Sequence, residues 1–171
     1  NFTGMKERTV ILYTFSKKFA MTGWRLGASI GPKSILKQMA RFNINDESCT
    51  NHFIQLALAS VLTNENDVGM NIIERLRKRR DLSVEKLNSI KGLEVPHPDS
   101  TFYLFPNVTE IMNKKGYDCL EKFRVDALIN TGVSFCTREH FGSTGINEDQ
   151  KYIRLAYSGI TSSKISEGLD K

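Results

Sequence analysis

Two cations stand eight residues apart in the run Ser16-Lys17-Lys18-Phe19-Ala20-Met21-Thr22-Gly23-Trp24-Arg25-Leu26-Gly27, between an apolar stretch and a glycine-rich turn. An amine that condenses with an aldehyde must be deprotonated near neutral pH, and desolvation or a neighbouring cation achieves this by lowering its pKa. Arg25 can supply that positive potential, and its planar guanidinium suits two phosphate oxygens at once, a geometry a lysine cannot reproduce. The hydroxyls of Thr14 and Ser16 follow the apolar run Thr9-Val10-Ile11-Leu12-Tyr13, where they can complete a phosphate cup. Lys17 and Lys18 compete for the role of reactive amine.

A second run lies far downstream, Lys151-Tyr152-Ile153-Arg154-Leu155-Ala156-Tyr157-Ser158. Its alternation of polar and apolar residues from Lys151 to Ala156 predicts a short half-buried strand, with Arg154 on the same face as Tyr152 and Ala156.

Together these segments resemble the class I and II aminotransferases of fold type I. Thr14-Phe15-Ser16-Lys17 followed by Met21-Thr22-Gly23-Trp24-Arg25-Leu26-Gly27 is similar to that family's Schiff-base lysine signature, and the pattern selects Lys17 over Lys18. Thr14 stands where the family more often has Ser or Gly, which keeps a hydroxyl. The resemblance implies pyridoxal 5'-phosphate as cofactor, held by Thr14, Ser16, Lys17 and Arg25, with Lys17 as the catalytic residue. The Ile153-Arg154-Leu155-Ala156-Tyr157 segment resembles the one whose arginine grips the substrate α-carboxylate, a role it implies for Arg154. The implied activity is transfer of an amino group from an L-amino acid to a 2-oxo acid, Lys17 first holding the cofactor as an imine and then moving a proton. Fold type I lyases and synthases share these residues, and the other alternative is a non-catalytic, aminotransferase-like regulatory domain. The resemblance also implies a homodimer.

The elements follow from periodicity and from the same resemblance, which implies an α/β fold: the end of a large cofactor domain over 1–66, then a bridging helix and a small α/β domain over 67–171. A helix is expected just after Gly31-Pro32, with Ser34 in its first turn. Another is expected over 47–62, with Thr50 or Asn51 near its start and Ile54, Leu58, Val61 and Leu62 on one face. The bridging helix spans 67–90 with Ile72, Ile73, Leu76, Leu82 and Leu87 as its apolar members. Strands are expected near 93–95, 102–105, 133–136 and 152–156, and helices near 117–130 and 162–169. The stretch 63–67 reads as the boundary. Thr101-Phe102-Tyr103-Leu104-Phe105-Pro106 resembles a small-domain strand of the family, with Phe102 either lining the substrate pocket or packing in the core. Before the second strand of interest, Thr137-Arg138-Glu139-His140 stands where the family usually has a Pro-Gly pair. Arg138 or His140 could face a substrate side chain there, or both are exposed loop residues.

The family's enzymes are longer, and the asparagine, aspartate and tyrosine that contact their cofactor ring are not visible here. The chain is therefore expected to be a C-terminal fragment, inactive by itself. Its 171 residues, 40% hydrophobic, suffice for a core and argue against disorder. A formal charge of +5, with Arg75-Leu76-Arg77-Lys78-Arg79-Arg80 as its densest cluster, reads as a solvated helix face rather than a nucleic-acid surface. Cys49, Cys119 and Cys136 are widely spaced and odd in number, which points away from a disulfide framework or metal site and toward a reducing compartment, the cytoplasm. His52, His97 and His140 show no ligand spacing, so no metal is expected. No segment is long and apolar enough to span a bilayer.

Overall fold

The computed structural model describes residues 2–64, 68–143, 145 and 148–171. The chain forms two compact units, Asn1–Ile72 and Ile73–Lys171. The boundary expected between residues 66 and 67 lies outside the described residues.

In the first unit, strand β1 (Ile11–Thr14) pairs antiparallel with β2 (Gly27–Ile30), Ile11 opposite Ile30 and Thr14 opposite Gly27. Two glycines make this close pairing possible. A Cβ on Gly27 would stand 3.0 Å from the Tyr13 carbonyl oxygen, and one on Gly31 would stand 3.0 Å from that of Thr9. Pro32 then fixes the entry into helix α1 (Lys33–Asp46), its carbonyl accepting from the Ile35 and Leu36 amides. The helix expected over 47–62 instead starts later, as α2 (His52–Asn64). Ser48 takes a left-handed backbone with φ 63°, which no helix continues through. Asn51 then caps α2, its side-chain oxygen accepting from the Phe53 amide at 3.2 Å. Ile54 and Leu58 are the buried residues of α2, whereas Leu62 is exposed. Every residue of β1 and β2 is exposed, apolar side chains included.

Helix α3 (Met70–Asn88) carries the division between the units; in the second unit it buries Ser83 and Leu87. The second unit is built on a three-stranded antiparallel sheet of order β3-β5-β4: β3 (Tyr103–Leu104), β4 (Cys136–Thr137) and β5 (Ile153–Ala156). Helices α4 (Thr109–Lys115), α5 (Leu120–Thr131) and α6 (Ser162–Leu169) complete it. Side chains alternate across the pleat, so the register sorts the sheet into two faces. One face is core: Leu104, Tyr157, Leu87, Val95 and Ile165 form one buried cluster. Ile153, Val108, Met112 and Leu120 form a second, with Leu155 packed against both.

Several sequence expectations shift here. The strand expected at 93–95 is reduced to a single bridge between Glu94 and Asn107, and that at 133–136 begins only at Cys136. Helix α4 was not anticipated; its seven residues are too few to show a helical period. Its Gly116 cap, at φ 73°, and the bond from the Tyr117 amide to the Met112 carbonyl occupy the start of the helix expected at 117, which begins at Leu120 instead.

Candidate functional site

The segment from Phe15 to Leu26 closes the β1–β2 hairpin, and the Phe15 amide extends the ladder to the Leu26 carbonyl at 3.4 Å. Phe15 and Ser16 are buried, and the Thr14 hydroxyl accepts from the Ser16 amide at 3.2 Å, turning the chain out of the strand. One helical turn follows. The Phe19 amide donates to the Phe15 carbonyl, Ala20 to Lys17 at 3.4 Å, and Met21 to Ser16 at 2.8 Å. The last two bonds, with Ala20 left-handed at φ 53°, make a Schellman closure, here at an alanine rather than the usual glycine. Lys17 therefore rides on a turn whose carbonyls are tied, with its side chain exposed; Lys18 Nζ lies 5.3 Å from the Phe19 ring centre. Gly69, at φ +100°, backs this turn: a Cβ there would meet the Lys18 carbonyl oxygen at 3.1 Å.

A 3-10 turn, Thr22–Trp24, brings the chain round to Arg25. Arg25 is left-handed as well, at φ 53°, and its Nη1 donates to the Thr22 carbonyl at 2.9 Å. Trp24 meets the Phe53 ring edge-on at 6.3 Å, holding the turn to α2. One hairpin thus carries Thr14, Ser16, Lys17 and Arg25. From Thr14 to Gly31 the sequence contains Lys17, Lys18 and Arg25 and no carboxylate. That donor set of cations and hydroxyls fits a dianionic phosphate and an aldehyde, and would repel neither.

In the second unit Arg154 lies on the sheet face opposite the core. Pairing puts Cys136 directly across from Arg154 and Tyr103 across from Ala156, so all four share that face. The Arg154 guanidinium carbon lies 4.3 Å from the Tyr103 ring centre and 4.5 Å from that of Phe141, and its Nη2 donates to Cys136 Sγ at 3.6 Å. Phe105 stacks on Tyr152 at 5.2 Å and 5° on the same face. Phe102, the aromatic named from the sequence, has the opposite parity and packs against the Leu87–Tyr157 cluster. Of the two readings left open for it, core packing is the one observed. That Tyr103 and Cys136 converge on Arg154 is visible only in the strand register, and that Phe141 joins them only in the fold of the turn after β4.

The loop after β4 turns its polar residues on itself. Arg138 Nε and Nη2 each lie 2.9 Å from a Glu148 oxygen, and Nη1 and Nη2 also donate to the Gly142 and Ser143 carbonyls. His140 Nδ1 lies 2.6 Å from the Thr137 hydroxyl and accepts from the Thr137 amide at 3.2 Å. Arg138 is thus half-buried and committed to its own loop, while His140 stays exposed. The basic run on α3 also departs from a purely solvated face. Arg79 donates to the Ser158 carbonyl at 2.6 Å, and Arg80 bonds Asp81 and reaches the Pro98 carbonyl, their long stems letting charged heads tie α3 to the following loops. Cys49, Cys119 and Cys136 are free thiols. Among the described residues no group of His, Cys, Asp or Glu is arranged to hold a metal, and no helix is long and apolar enough to cross a membrane.

The family model for aminotransferase class I and II matches residues 2–171. The chain is 31% identical over 166 residues to an aspartate aminotransferase of Sulfolobus acidocaldarius, covering 97% of this chain and 40% of that protein. To an LL-diaminopimelate aminotransferase of Halothermothrix orenii it is 33% identical over 170 residues, covering 99% of this chain and 41% of the relative. Among solved structures, an aromatic aminotransferase from Pyrococcus horikoshii OT3 superposes with a TM-score of 0.84 at 32% identity, over 99% of this chain and 43% of that one. The chain spans about two fifths of the length of the relatives it matches. Its mixed helix and sheet units are part of the fold type I architecture those enzymes share. By its sequence and by its fold, the chain belongs to the class I and II aminotransferases.

Proposed function

We propose that this chain provides the cofactor lysine and the carboxylate grip of a pyridoxal-phosphate-dependent aminotransferase, which moves the amino group of an L-amino acid to a 2-oxo acid. The observation that carries the reading is the hairpin of residues 14–27, which mounts Lys17 and Arg25 on one backbone-tied loop without a carboxylate. Lys17 would hold the cofactor through Nζ, with Arg25 and the Thr14 and Ser16 hydroxyls around its phosphate. Pyridoxal phosphate, when bound, supplies an aldehyde carbon and a ring that withdraws electrons from the substrate α-carbon.

The residues divide the remaining work. Arg25 neutralises phosphate charge with two in-plane donors, which a lysine would offer only as a point charge. Lys17 Nζ, once free, would take the proton from the substrate α-carbon as a general base. Arg154 binds the α-carboxylate and orients that carbon, which converts binding energy into alignment. The free thiols agree with a reducing, cytoplasmic setting, and family membership supports a homodimer.

The test is a half-reaction in the whole protein that contains this chain, loaded with pyridoxal phosphate. Amino acid added without an oxo acid should give one equivalent of 2-oxo acid and no ammonia, with turnover restored by a second oxo acid. Continuous release of ammonia would instead identify a lyase and overturn the transfer reading.

A further inference from the structure

We infer that Tyr103 and Phe141 are the positioning residues of the carboxylate site, acting through Arg154; this inference rests on the reading of Arg154 given above. An arginine on a short strand has a flexible stem, and holding its fork still for a carboxylate costs side-chain entropy. Here the guanidinium packs against two aromatic rings, at 4.3 Å from Tyr103 and 4.5 Å from Phe141, while Cys136 Sγ takes an Nη2 hydrogen at 3.6 Å. Ring faces carry negative charge density, so both contacts attract the cation and neither consumes an N–H. Among the described residues Cys136 Sγ is the one hydrogen-bond acceptor on Arg154, which leaves N–H groups in the guanidinium plane, where a carboxylate binds with two parallel bonds.

The two rings reach Arg154 by different routes. Tyr103 stands on β3, one strand over, and its place follows from the pairing of Tyr103 with Ala156. Phe141 ends the 3-10 turn Arg138–Phe141 on the loop that the Arg138–Glu148 ion pair gathers, and it is half exposed at 50%. One contact is thus fixed by the sheet and the other by a loop.

The experiment uses the whole protein that contains this chain, loaded with pyridoxal phosphate, with Phe141→Leu, Phe141→Tyr, Tyr103→Leu and Arg154→Gln. Dissociation constants for succinate and 3-phenylpropionate, two amine-free carboxylate probes, are read from the shift in cofactor absorbance. Steady-state KM and kcat for the amino acid are measured beside them. The inference predicts that each Leu variant weakens probe binding about 3- to 30-fold, the range set by a cation–π contact. The loss should fall on KM rather than kcat, and Phe141→Tyr should restore probe affinity and KM. Thermal melts show whether each variant is folded, and recovery by Phe141→Tyr separates the ring from mere bulk. Probe binding lost in Arg154→Gln but unchanged in folded Leu variants would overturn the positioning role and leave Arg154 as the grip. Binding unchanged in Arg154→Gln would overturn the reading of Arg154 itself.

Discussion

Arg138 and Glu148 face each other as a two-pronged ion pair, with Nε and Nη2 each 2.9 Å from a carboxylate oxygen and both side chains about three-quarters buried, at 25% and 23% exposure. Such a fork is among the stronger polar contacts a loop can hold. Removing one partner leaves the other desolvated. Glu148→Gln should therefore cost about 1–3 kcal/mol in a denaturant unfolding experiment. Arg138→Gln added to it should cost much less than it does alone, the non-additivity of a contacting pair.

The turn that carries Lys17 depends on the absence of a side chain at position 69. Gly69 combines φ +100° with a Cβ position 3.1 Å from the Lys18 carbonyl oxygen, whereas Gly23 has open space around it. Gly69→Ala should destabilise by about 1–3 kcal/mol, the cost of a strained backbone, and should lower cofactor loading because the Lys17 turn has to shift. Gly23→Ala should leave both nearly unchanged. Paired thermal melts and cofactor absorbance check the contrast.

Arg25→Lys keeps the charge and loses the fork. It should weaken pyridoxal phosphate binding by roughly tenfold, the worth of about one charge-assisted hydrogen bond, in an absorbance titration. An unchanged affinity would mean that Arg25 does not touch the phosphate.

A pH dependence follows from Asp126. The Lys122 ammonium at 2.6 Å and the Tyr117 hydroxyl at 2.9 Å both donate to Oδ2 and hold the carboxyl below the usual carboxylate range. A carboxyl whose pKa is lower folded than unfolded contributes stability above its unfolded pKa of about 3.9, and loses it as the pH falls through the folded value. Urea midpoints for the native sequence should therefore fall more steeply below about pH 5 than those of Asp126→Asn.

The sequence was most informative where local chemistry determines the backbone. The helices after Pro32 and Thr161 begin close to their expected positions because a proline and a capping hydroxyl mark them. The Lys17 segment was legible as one loop, since an apolar run and a glycine bracket it. What stayed hidden depends on partners distant in sequence. Strand parity decides that Tyr103, not Phe102, joins Arg154, and parity needs the register with β5. Phe141 reaches the same guanidinium from the 3-10 turn that follows β4, a contact no local pattern marks. Ser48 delays the helix expected from residue 47 until His52, because a left-handed residue leaves no trace in hydrophobic period.

The most direct test of the central claim is borohydride reduction of the whole protein that contains this chain, loaded with pyridoxal phosphate, followed by peptide mass mapping. The account predicts a reduced pyridoxyl phosphate adduct on Lys17 and none on Lys18, abolished in Lys17→Ala with the fold intact. An adduct on Lys18, or no adduct in a folded and cofactor-saturated protein, would contradict it.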